Sequence, residues 1–189
     1  MDILSRKQKY HLSKLDIRIV EDGTILFRII YEDWFVEQEH LRSNLGGYIE
    51  TEKNLSQSGR CMILDNAIVY QRARIKNNAR ILDNAIIYGC ANISDNAIIK
   101  DQATVLGCTK VCGDAKIYGN AKIYGKCTIS DTASIYENAA IGGYTQIKDN
   151  ASIYGNVTIC ENIIIKNYIK IRNAVQLLGL KPKTKQMYA

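Results

Sequence analysis

From position 61 to 172 a pattern of apolar, small and turn residues recurs every six positions without insertion or deletion. The large apolar column starts at Ile63, Val69, Ile75 and Ile81 and continues to Ile171. All nineteen of its positions are Ile or Val. Two residues before each lies a small residue, most often alanine (Ala67, Ala73, Ala79, Ala85, Ala91, Ala97, Ala103), which a spacing of two places on the same face of a short strand. Between strands come pairs such as Asp65-Asn66, Asp83-Asn84, Gly119-Asn120 and Asp149-Asn150, residue types that tolerate positive φ and so turn a corner. A fixed strand-corner period with inward β-branched residues predicts a hexapeptide parallel β-helix. The fold class is therefore all-β. Three hexads make one triangular coil, so nineteen predict slightly more than six coils, a prism about 30 Å long at the usual strand spacing.

The flanks leave this pattern. Residues 1–48 predict a small mixed cap, because the solenoid's first coil has an apolar end with no neighbour to cover it. Within it, Asp16–Val20 and Thr24–Tyr31 read as a hairpin around Glu21-Asp22-Gly23. Glu32–Arg42 reads as a short helix or a packing loop. Leu45-Gly46-Gly47-Tyr48-Ile49 reads as the entry into an imperfect first coil. The organisation expected is a cap over 1–48, the β-helix over 49–172, and a lid helix with a basic tail over 173–189, the helix carried by Ala174, Val175, Leu177 and Leu178 and ended by Gly179 and Pro182.

Reading the hexads in eighteens separates three outer faces. The first carries Arg80, Lys100, Lys116, Tyr118, Tyr136, Tyr154, Lys170 and Arg172, a cationic and aromatic surface. The second carries Ile68, Tyr70, Ile86, Tyr88, Leu106 and Tyr124, an apolar row with Lys122 as its single charge. Such a row implies contact with something, either the folded-back cap or a second copy in a dimer or trimer. The third carries Arg74, Lys76, Lys110, Lys148 and Lys166.

Charge sharpens this picture. The chain is +6 overall, yet residues 1–60 sum to −1 and the remainder to +7. Every acid after position 60 falls at a corner, so the flat faces carry cations. A cationic face with tyrosines suits an acidic protein surface, or a nucleic acid whose backbone meets the cations while its bases stack. DNA mimicry would need acidic faces instead. No run approaches a membrane helix and the first ten residues lack a leader's apolar segment, so a cytoplasmic protein without a membrane is expected. The six cysteines read as reduced fillers. Cys90 and Cys108, eighteen apart, share a corner in successive coils and form the one pair within disulfide reach. Neither a zinc set nor any other metal or cofactor is expected from the cysteine spacing.

The stretch from Leu45 to Ser56, followed by Asp-Asn-Ala and Gly-Asn-Ala hexads, resembles the YdcK-like β-helix proteins of bacteria and their prophages, often labelled acyltransferases. The resemblance implies a left-handed solenoid and covers about residues 24–172. It also opens the possibility of a prophage-encoded inhibitor of a host or defence factor. Hexapeptide acyltransferases place a histidine base on a coil or an extruded loop. Here the two histidines, His11 and His40, precede the repeat, and no loop interrupts the coils. An acyl-CoA transferase would have to rely on His40. The expected function is accordingly a non-enzymatic scaffold that binds a macromolecular partner through flat faces, with the acyltransferase and a nucleic-acid binder as alternatives.

Overall fold

The computed structural model describes residues 7–173 and 185–187. The hexads form a parallel β-solenoid whose rungs are strands of two residues, or three at Ile163–Ile165, paired in register with the strand eighteen residues on, as in Lys116↔Ser134 and Ile117↔Ile135. Three sheets result. The first runs through seven strands from Met62–Ile63 to Lys170–Ile171. The third runs from Arg74–Ile75 to Ile163–Ile165 and gains Lys185–Met187 as a last parallel strand. The second continues the solenoid strands into the N-terminal region and has nine.

That continuation is built from β1 (Tyr10–Ile19), β2 (Ile25–Tyr31) and β3 (Leu45–Ile49), with α1 (Asp33–Glu39) between β2 and β3. The expected hairpin is present, with a longer first strand, and the ambiguous Glu32–Arg42 segment contains a helix. β3 pairs parallel with Ile68–Val69, and Leu55 bridges to Ile75. The imperfect entry is thus a coil in its own right, which brings the solenoid to about seven coils. Gly47 permits it, since a Cβ there would sit 2.4 Å from the Ala67 carbonyl oxygen. The expected lid helix falls at 174–180, outside the described residues.

The Ile/Val column is buried throughout, and with the alanine column it forms one continuous core that also takes in Tyr10, Ile29, Tyr31 and Phe35 of the cap. Where the small column is polar at the corner between the second and third sheets, Thr109, Cys127 and Thr145 donate to the carbonyl three residues back. The residue heading each corner occupies the left-handed region from Gly59 to Asn167, with Glu161 as the exception. Asp is frequent there because its carboxylate accepts the N–H of the corner residue one coil on: Asp65 from Asp83, Asp83 from Asp101, Asp101 from Gly119, Asp131 from Asp149.

The cap closes the N-terminal end chemically as well as sterically. The N–H and C=O of Ile63 point away from the next coil, where no earlier strand of the first sheet precedes them. The Tyr31 hydroxyl accepts the N–H at 2.8 Å and donates to the C=O at 3.1 Å. Tyr10 donates to the Leu55 carbonyl at 2.6 Å, and the fully buried Lys9 ammonium donates to the Cys61 carbonyl at 2.8 Å. Arg28 reaches the Gly46 and Asp65 carbonyls. These bonds remove the penalty for orphaned backbone groups at a buried end. Burial lowers the Lys9 pKa, and the Tyr10 and Tyr31 hydroxyls are pushed up for the same reason.

Candidate functional site

On the second face the hairpin folds back over the first coils. Leu26, Tyr48 and Ile68 form a small buried cluster, with Val20 and Tyr70 packed against it. The hairpin turn overhangs the next coils and leaves a hollow of about 440 Å³ lined by Ile19, Val20, Ile68, Tyr70, Ile86 and Tyr88 among others. The cap therefore covers Ile68. Ile86, Tyr88, Leu106 and Tyr124 stay half-buried. Tyr70 and Tyr88 stack at 5.1 Å. Tyr124 does not extend this stack: it lies across Gly142, where a Cβ would meet its ring at 2.3 Å, and its hydroxyl reaches the Cys160 sulfur at 2.6 Å.

The first face brings its tyrosines together. Tyr118 and Tyr136 stack with centroids 4.8 Å apart and planes 1° off parallel; Tyr136 and Tyr154 stack at 5.0 Å and 0°. The Lys100 ammonium lies 5.7 Å from the Tyr118 ring centre, at the near end of the stack. Ring faces thus meet other ring faces, and the surface receives ring edges and a row of three hydroxyls. Desolvation in the stack raises the pKa of the Tyr118 and Tyr136 hydroxyls.

The cations of that face are not equivalent. Glu39, at the end of α1, binds Arg60 through both oxygens at 2.6 and 3.0 Å and lies 3.9 Å from Arg80, so the cap has already taken the first coils of this face. Arg60 holds the Glu39 pKa down despite its nearly complete burial. Lys100 lies 3.5 Å from the neighbouring corner acid Asp101. Lys116, Lys170 and Arg172 are exposed and, among the described residues, make no ion pair.

Both histidines sit in the cap. His11 contacts Glu32 at 2.8 Å, and His40 is the left-handed residue ending α1, with an exposed side chain. Among the described residues His40 has no side-chain hydrogen-bond partner of the kind that orients a general base. All six cysteines are free thiols. Cys90 lies near Cys108 across the corner, and its proximity raises the Cys108 pKa. Cys127, buried inside the solenoid, is pushed up to about 11. Among the described residues no group of three or more His, Cys, Asp or Glu converges as a metal site. No helix of the described residues is long and apolar enough to cross a membrane.

No family model and no curated protein matches the chain. Sequence reasoning missed two features. Glu39 reaches the first face because α1 packs at the solenoid's end, where a cap was expected, but the sequence carries no signal for which acid of that segment turns toward Arg60 and Arg80. The ring-to-ring facing of the tyrosines was readable, since three tyrosines at eighteen-residue spacing on stacked rungs have no room to lie flat.

Proposed function

We propose that the protein is a non-enzymatic scaffold that binds an acidic protein surface through the distal part of its first face, from Tyr118 to Arg172. The observation carrying this reading is the tyrosine stack with three hydroxyls in a line, beside Lys116, Lys170 and Arg172, which make no ion pair among the described residues. Tyrosine supplies large contact area at small conformational cost, and a pre-stacked row has already lost its rotamer freedom. Unpaired cations around it steer an acidic partner and set its register.

Base stacking, which a nucleic-acid binder uses, needs an open ring face. Here the faces of Tyr136 are covered on both sides, which favours the protein partner over the nucleic acid. The acyltransferase reading has His40 alone, at the solvent-facing end of α1. The likeness to prophage-borne YdcK-like proteins fits a chain whose work is to occupy a host or defence factor. The half-buried Ile86, Tyr88 and Leu106 of the second face suit contact with a further copy of the chain in a cytoplasmic dimer or trimer.

The test is affinity capture from native host lysate with the full chain, comparing it with a Tyr118→Ser, Tyr136→Ser, Tyr154→Ser, Lys116→Glu variant. The expected result is a protein retained by the first, insensitive to nuclease, released by salt, and absent with the second. Retention of nucleic acid instead, or stoichiometric acyl-CoA binding by calorimetry, replaces this reading with one of the alternatives.

A further inference from the structure

Lysine is almost never fully buried unless an acid pairs with it. Lys9 is fully buried and, among the described residues, makes no ion pair. Its side-chain nitrogen donates twice, both times to Cys61: to the carbonyl oxygen at 2.8 Å and to Sγ at 3.4 Å. The rings of Phe35 and Tyr10 lie 5.3 and 6.0 Å from the same nitrogen. Closing the end of the solenoid needs only the carbonyl bond, which leaves the contact with sulfur to be explained.

Burial penalises the charged form of each partner. It lowers the pKa of Lys9 and raises that of Cys61, so the pair is drawn toward neutral amine and neutral thiol. A neutral amine carries a lone pair and is a nucleophile. Its separation from Sγ is that of reacting atoms in a near-attack arrangement. Little chain lies between the sulfur and solvent: Sγ is 3.7 Å from the carbonyl oxygen of the exposed Ser58. A surface hollow of about 570 Å³ is lined by Lys7 and Gln8, which lead into Lys9, and by Gln57, Ser58 and Gly59, which lead toward Cys61. A molecule as small as hydrogen peroxide needs only a local opening of that wall, whereas bulky thiol reagents are kept out.

We propose that Lys9 and Cys61 form a covalent nitrogen–sulfur cross-link, a sulfenamide, when a peroxide oxidises the thiol. The peroxide transfers one oxygen to Sγ, giving a sulfenic acid and one water. The Lys9 Nζ lone pair then attacks that sulfur. The N–S bond forms, the S–O bond breaks, and the leaving hydroxide takes a proton from the nitrogen as a second water. Sulfur gives two electrons to the peroxide, and the chain loses two hydrogens. The product ties the cap to the first coil across fifty-two positions. Cys127, also buried in the small column, has the Tyr124 and Gly143 carbonyl oxygens at its sulfur, and these supply no nucleophilic nitrogen.

Tandem mass spectrometry of peptides from the full chain, before and after graded hydrogen peroxide, tests this. The expected product is a Lys9 peptide joined to a Cys61 peptide, two hydrogens lighter than their sum and separated again by dithiothreitol. Lys9→Arg keeps a donor for the Cys61 carbonyl but stays protonated and offers no lone pair. It should lose the joined peptide and leave a Cys61 sulfenic acid that dimedone traps. Cys61→Ser should lose both products. Circular dichroism melting confirms that the variants fold; should neither fold, the wild-type map decides by itself. Oxidation of wild-type Cys61 to sulfinic acid without a joined peptide overturns the cross-link, as does a Cys61 that stays a thiol while Cys108 is oxidised. A joined peptide heavier by one oxygen overturns the direct N–S bond.

Discussion

Asp and Gly do different work at the left-handed corners. Gly107, at φ +74°, has the Gly125 carbonyl oxygen 2.5 Å from where a Cβ would be. Gly107→Ala should therefore cost about 1–2 kcal/mol from the backbone conformation alone, read as a lower urea midpoint at unchanged slope. The Asp corners offset their strained backbone through the bond to the following coil. Backbone N–H donation holds the Asp95, Asp101 and Asp131 pKa values below the ordinary carboxylate value. A depressed folded-state pKa contributes stability that is complete above the unfolded value and lost as pH falls through the folded one. The melting temperature should hold between pH 7 and 5 and drop below about pH 4. Replacing all three by Asn keeps an acceptor without the proton equilibrium and should flatten that acid limb; an unchanged limb would place the acid sensitivity elsewhere.

For each strand, two residues suffice because neighbours above and below supply the rest. Ile123→Ala empties part of a core column with no slack and should cost about 2–5 kcal/mol, whereas Lys122→Ala, one residue away and outward, should stay within about 0.5 kcal/mol; chemical denaturation distinguishes the two. In the cap, Tyr31→Phe leaves the buried Ile63 N–H and C=O without partners and should cost about 1–3 kcal/mol, a loss out of proportion to one oxygen atom. The strands and corners were legible in the sequence because each is dictated by its own six residues. The donors of the cap were not. Lys9 is buried against Cys61, fifty-two positions away, and nothing local distinguishes it from the solvated Lys7 and Lys14.

Across the whole molecule, the nine-stranded sheet runs from the cap into the solenoid without a seam. The eighteen-residue register also sorts every outward side chain: a residue's face is set by its count along the chain. Deleting one hexad from within the ladder, for instance 125–130, preserves each strand and corner type while turning everything downstream by a third of a revolution. Tyr136 and Tyr154 would move to the face of the third sheet while Tyr118 stayed on the first, and the ladder would be split. Deleting eighteen residues would shorten the prism and leave the faces aligned. The shorter loss, not the longer, should abolish partner binding while both chains melt cooperatively. Length is therefore the coarse variable in this architecture and phase the fine one, so that surface identity can be rewritten by indels that leave the core untouched.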